Sequence, residues 1–168
     1  YFFAYKAIFA EVIFKKSIES LNKNDGKKTY DLMRKAISQN TYVDRYHLCF
    51  AQVNLALAQT IAQKKDIYEE DKKTISQLIQ ESIRQGKAGV YLNPQRSGNW
   101  ELLAKVYQAI IPYAQGSDQF TVQAYAQAIA LDPISPNLRI ALGGVYYSLG
   151  RYDEAIDVFK LAVVAKPD

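Results

Sequence analysis

Residues 136–167 read PNLRIALGGVYYSLGRYDEAIDVFKLAVVAKP, and the spacing of their small and aromatic residues decides the fold. Leu142, Gly143 and Tyr146 fall on one helical face, Gly150 and Tyr152 punctuate a turn, and Ala155, Phe159 and Ala162 fall on a second helical face. Pro167 closes the stretch, because proline does not continue a helix. Small residues at Gly143, Ala155 and Ala162 let two antiparallel helices approach closely. Leu142, Tyr146 and Phe159 fill the space between that pair and its neighbours.

One helical hairpin cannot bury its apolar face alone, so the pattern has to recur. It does so upstream. Trp100, Leu103, Ala104 and Tyr107 occupy the same first-helix positions, and Tyr125, Ala128 and Pro133 the second-helix positions. The runs AIALDP ending at Pro133, GVYLNP ending at Pro94 and AISQNT ending at Thr41 each lead from a helical face into a stop. Toward the N-terminus the match thins. Phe50 and Ala51 take the Leu and Gly positions, with Tyr46 or His47 as the bulky residue, but Asn54 falls where a Tyr is expected. In the first unit Phe9, Ala10 and Ile13, then Met33 and Ala36, fit the pattern loosely.

This set of positions resembles the tetratricopeptide repeat family, with one departure at Arg139, where the family places a Trp or another bulky residue. The resemblance implies an all-α fold: an α-solenoid of about four antiparallel helix pairs in a right-handed superhelix. The chain is then a single domain over 1–168, with approximate repeats at 2–39, 42–92, 97–131 and 136–165. The expected helices are 2–22, 28–39, 42–66, 71–92, 97–111, 118–131, 136–149 and 152–165. Pro112 stops the fifth, and Ser117 or Asp118 is placed to cap the sixth. Between Thr41 and Leu92 the one interruption is the charged run KKDIYEEDKK, so both helices of that hairpin are expected to run two or three turns beyond the usual length.

Composition agrees. A chain of 168 residues with 49% hydrophobic content can bury a continuous core, and no alternating β-branched run competes with the helical periodicity. The net charge of +4 raises the question of nucleic acid. Yet Lys and Arg are mixed with acids, as in Lys64, Lys65, Glu69, Glu70, Lys72 and Lys73, and the aromatic residues sit at packing positions, Trp100, Tyr107, Tyr125, Tyr146 and Tyr152 among them. No nucleic-acid partner is expected.

Cys49 is the only cysteine and His47 the only histidine. Two residues apart on a helix, they point to different faces, which disfavours a nucleophile and base pair. A zinc cage needs about four Cys, His or acidic ligands, so no metal site is expected. The run DGKKT from Asp25 lacks the first Gly and the final hydroxyl of a phosphate-binding loop, with Leu21 and Lys28 at those places. With no carboxylate dyad either, the chain is expected to be no enzyme and to hold no cofactor.

The family resemblance implies that the inner surface formed by the first helix of each pair binds a protein or peptide ligand. Carried over position by position, that surface consists of Arg45 and Gln52, then Glu101 and Lys105, then Asn137, Ile140, Gly144 and Tyr147. Family members that clamp a C-terminal carboxylate need converging Lys, Arg and Asn, and Gly144 stands where one key Asn would be. An extended segment held by polar contacts, with apolar ones near Ile140 and Tyr147, is the expected ligand.

The start at Tyr1 is read as an excised part of a longer protein, and YFFAYKAIFAEVIF falls short of the roughly 20 apolar residues that span a bilayer. Its aromatic residues Tyr1, Phe2, Phe3 and Tyr5, with Lys15 and Lys16 beyond, suit a membrane edge. The stretch NDGKKTYDLMRKAISQNTYVDRYHLCFAQVNLALAQTIAQ, residues 24–63, resembles the repeat regions that follow the membrane spans of bacterial O-antigen ligase or polymerase-like proteins. That resemblance implies a soluble scaffold of a membrane-anchored bacterial glycan-transfer protein, with membrane contact only through the parent; the alternative is that the chain is a structural spacer or self-association domain of that parent. At the other end, Val158, Leu161 and Val164 widen the apolar surface of the last helix beyond what one neighbour covers, so self-association through it is expected.

Overall fold

The computed structural model describes the backbone of residues 2–165 and the side chains of residues 4–165. Tyr1, the side chains of Phe2 and Phe3, and the closing Pro167 lie outside the described residues. Among the described residues there are eight helices and no strand: α1 (Phe2–Asn22), α2 (Gly26–Gln39), α3 (Asp44–Ala62), α4 (Glu69–Leu92), α5 (Ser97–Ile110), α6 (Ser117–Leu131), α7 (Pro136–Ser148) and α8 (Tyr152–Val164). Consecutive helices pair as α1 with α2, α3 with α4, α5 with α6 and α7 with α8. The chain divides into two compact units, residues 1–92 and 93–168. In the first α2 also packs on α3, and in the second α6 packs on α7.

Local chemistry explains where the helix ends differ from expectation. The second helix begins at Gly26, not 28, because the Asp25 carboxylate accepts the Lys28 N–H at 3.1 Å and satisfies one of the free donors of the first turn. The third is 44–62, not 42–66. Val43 is extended at its start, and past its end Lys64 pairs with Asp71 at 2.7 Å. The same Asp71 accepts the N–H of Tyr68 at 3.1 Å, and Glu69, Glu70 and Asp71 set three acids in the first turn of α4, where the helix dipole favours them. The charged run is therefore split between loop and helix. At 24 residues, against 13 to 15 for the helices of the second unit, α4 has the expected extra length; α3, at 19, has only about one turn of it. The cap expected at Ser117 or Asp118 is instead Gly116, whose φ of 81° is left-handed backbone that glycine adopts without strain.

The core of the first unit joins Ala10, Ile13 and Phe14 of α1, Met33 and Ala36 of α2, and Tyr46, Phe50 and Val53 of α3. Phe14 stacks on Tyr46 with ring centroids 4.6 Å apart, and Tyr30 tilts against Phe50 at 5.0 Å. In the second unit Ala104, Ala124, Tyr125, Leu142 and Val145 form the centre, with Trp100 and Tyr146 half-buried around it. The close approach read from the sequence is present. A Cβ built on Gly143 would meet the Phe159 ring at 2.5 Å, and Ala155 and Ala162 are buried. Gly89 does the same in α4, where a Cβ would meet Leu48 at 2.5 Å. Tyr152 departs from the expected packing position. It opens α8 and is 57% exposed, because the first turn of the helix lies beyond the tight Gly143 and Phe159 crossing.

Two buried tyrosines give the fold a pH dependence. Tyr46 and Tyr125 are almost fully enclosed, and desolvation of the phenolate pushes both pKa values from 10.0 up to about 12; the nearby Glu11 adds to the shift at Tyr46 and Glu101 at Tyr125. Each ionises later in the folded chain than in the unfolded one. Their contribution is therefore complete below pH 10 and is lost as pH rises through about 12. The midpoint of thermal unfolding should fall across that interval, with a delayed rise in phenolate absorbance from these two rings. An unfolding midpoint constant to pH 12 would contradict their burial.

Candidate functional site

Helix α7 presents two opposite faces. Leu138, Leu142 and Val145 are buried on one side. On the other, Asn137, Ile140, Gly144 and Tyr147 form a single exposed stripe at helical spacing, with Ile140 53% and Tyr147 63% exposed. A Cβ on Gly144 would meet nothing within 4 Å, so the stripe is open at its middle. The Tyr147 ring lies edge-on to Tyr152, with centroids 5.3 Å apart at 64°. Tyr152, read from the sequence as a packing residue, thus joins the exposed aromatic surface; its place at the first helical position after the Gly150 turn was the available signal.

In the same unit Glu101 and Lys105 sit on α5, and the Lys105 ammonium pairs with the Glu101 carboxylate at 2.6 Å. The pair is a partly exposed i, i+4 bridge, so each charge is within reach of an incoming polar group. In the first unit Arg45 and Gln52 lie on α3. Gln52 is exposed. Arg45 is half exposed and is also bound within the unit: its guanidinium donates to Glu11 on α1 at 2.5 Å and lies over the rings of Phe14 and Tyr46, at 5.2 and 5.6 Å from their centroids. The Tyr46 hydroxyl donates to the same carboxylate at 2.7 Å, and this bond and Arg45 together hold Glu11 below its ordinary value of 4.5. Arg45 thus ties α3 to α1.

His47 is occupied on both ring nitrogens, Nδ1 lying 2.6 Å from Gln85 Oε1 and Nε2 lying 2.9 Å from the Thr41 carbonyl. Gln85 in turn donates to Glu81 at 2.7 Å, so the imidazole anchors the turn before α3 to α4. Cys49 is half-buried, and burial pushes its thiol up from 9.0, away from the reactive thiolate. Among the described residues no group of three or more His, Cys, Asp and Glu gathers into a metal cage.

A cleft of about 690 Å³ opens in the first unit between α2, α3 and α4, lined among others by Tyr30, Leu57, Leu78 and Glu81. Asn54 also lines it. This residue stands where the second unit has Tyr107 and Tyr146, and its smaller side chain leaves room that a tyrosine ring would take. Asn54 is fully buried; its Nδ2 donates to the Phe50 carbonyl at 2.7 Å, and its Oδ1 has no partner among the described residues.

Residues 121–168 match the family model described as tetratricopeptide repeat. The chain is similar to solved structures of the same class. One is TTC0263, a thermophilic tetratricopeptide-repeat protein in Thermus thermophilus, at 19% identity and a TM-score of 0.70, covering 95% of this chain and 75% of that one. Another is MamA 41-end from Desulfovibrio magneticus RS-1, at 15% identity and a TM-score of 0.70, covering 93% and 75%. A further MamA structure is 17% identical with a TM-score of 0.70, covering 93% and 77%. A comparison with curated proteins gives no match. The fold is therefore that of a tetratricopeptide-type helical solenoid, with the family's own sequence pattern matched in the last 48 residues.

Proposed function

We propose that this chain is a non-catalytic scaffold that holds an extended segment of a protein or peptide partner on the exposed faces of its first helices. The principal seat, in the second unit, is the stripe of Asn137, Ile140 and Tyr147 on α7 with Glu101 and Lys105 on α5; in the first unit, taken by itself, Arg45 and Gln52 on α3 are the candidate positions. The observation that carries this reading is the α7 stripe, where two large apolar side chains stand in solvent beside polar ones and an open glycine. Apolar anchors set among polar contacts suit a peptide ligand. The setting in a longer, membrane-anchored bacterial protein rests on the resemblance of residues 24–63 alone.

A double change of Lys105→Glu and Tyr147→Ala tests the seat. Both side chains are exposed, and the reversed charge beside Glu101 costs only about 0.2–0.5 kcal/mol. Partner capture should weaken strongly while thermal unfolding hardly moves. Stability lost in step with binding would mean that these residues serve the core.

A second reading, self-association, is favoured by α8, where Ile156, Leu161, Val163 and Val164 are all at least half exposed. Sedimentation should show concentration-dependent association of the chain that Leu161→Lys abolishes. A chain that stays monomeric at high concentration would remove this reading and leave the first intact.

A further inference from the structure

Helix α1 is apolar on two sides. One side is core, through Ala10, Ile13 and Phe14. The other carries Tyr5, Ile8, Phe9 and Val12 at i, i+3, i+4 and i+7, a stripe that the rest of the first unit leaves exposed, Tyr5 and Ile8 by 68% and 67%. Tyr5 stacks on Phe9 with centroids 6.1 Å apart. Continued along the helix, the stripe reaches Lys15 and Lys16, both exposed, and from α2 the Lys35 ammonium stands 6.0 Å from the Phe9 ring centroid. Charge is unevenly distributed in the same sense. Residues 1–40 hold eight Lys and Arg against four Asp and Glu, which accounts for the whole net charge of +4, while the remaining residues are balanced. Of the acids on α1, Glu11 is turned to Arg45 and Tyr46, and Glu19 lies beyond the lysine pair.

We infer that the N-terminal half of α1 rests on a lipid bilayer that carries anionic headgroups. Tyr5, Ile8, Phe9 and Val12 enter the boundary between headgroups and acyl chains, and Lys15, Lys16 and Lys35 lie among the phosphates. An apolar stripe edged by lysines and aromatic rings is what an interfacial helix requires: the apolar part supplies the insertion, and the cations supply the preference for anionic lipid. Among the described residues no helix is long and apolar enough to cross a membrane, and the contact proposed is one along the bilayer surface. This contact is made by the chain itself and does not depend on the peptide seat in the second unit.

Flotation of the 168-residue chain with vesicles of phosphatidylcholine, alone or mixed with phosphatidylglycerol, tests it. The chain should float with the mixed vesicles and bind pure phosphatidylcholine about tenfold more weakly or worse. Tyr5→Ser with Ile8→Ser should abolish flotation, and Lys15→Glu with Lys16→Glu should remove the preference for anionic lipid, both with helical circular dichroism and thermal unfolding retained. Failure of the unaltered chain to float with mixed vesicles would overturn the proposal. So would flotation indifferent to both pairs of changes. A dimer in sedimentation that Tyr5→Ser with Ile8→Ser dissolves, without flotation, would assign the stripe to a second copy and overturn it as well.

Discussion

Tyr125→Ala is expected to cost the second unit about 3–5 kcal/mol, the range for emptying an aromatic site in a packed core. Tyr125 is 1% exposed, packs in one cluster with Ala104, Leu142 and Val145, and donates its hydroxyl to Gln108 Oε1 at 3.1 Å. Truncation leaves a void between α5, α6 and α7 and an acceptor deprived of its donor. Since a domain of this kind has only about 5–15 kcal/mol of stability, a large share would be lost. Urea unfolding followed by circular dichroism measures it. A cost under about 1 kcal/mol, the level of an ordinary surface change, would mean that the three helices do not meet around this ring.

Phe50→Ala should have a comparable effect in the first unit, again about 3–5 kcal/mol. Phe50 is 1% exposed on α3, in the cluster that joins α1, α2 and α3, and its ring meets Tyr30 of α2. Its carbonyl also accepts the Asn54 amide, but that bond is made by the backbone and survives the substitution. The loss is thus one of packing and dispersion contacts. Phe50→Leu, which keeps much of the volume, should recover most of it; equal losses for the two variants would point to a defect other than a cavity.

Those two residues show what could be read in advance. Phe50 and Tyr125 sit at repeat positions that helical periodicity exposes directly, and the Gly143 and Phe159 crossing follows from placing a residue with no side chain opposite a ring. Such features depend on neighbours three or four residues apart and on one recurring hairpin geometry, so they are written locally. Helix ends were less legible. The run around Asp71 reads as one charged interruption, yet a single carboxylate that accepts both Lys64 and the Tyr68 N–H starts α4 inside it. Which oxygen meets which donor is a property of the folded loop and leaves no periodic trace.

The candidate surface was legible only in part. Ile140 and Tyr147 stand in solvent on one stripe, as their spacing implies. Arg45 reads as a free cation of the groove but is drawn to Glu11, 34 residues away in the chain, a pairing that arises only when α1 and α3 pack. Tyr152 errs in the opposite direction, because its position in the repeat is shared with packing residues while its place in the first turn of α8 leaves it outside the crossing.

The central claim is that the exposed faces of first helices, and not the core or the second helices, receive a partner segment. Peptides selected on the immobilised chain from a random displayed library, titrated into isotope-labelled protein, test it through amide chemical-shift changes. The account predicts shifts concentrated at Glu101, Lys105, Asn137, Ile140, Gly144 and Tyr147, with Gln52 as the accompanying position in the first unit, and their loss in the Lys105→Glu and Tyr147→Ala variant. Shifts gathered on α4, α6 or α8, with the α7 stripe unmoved, would contradict it.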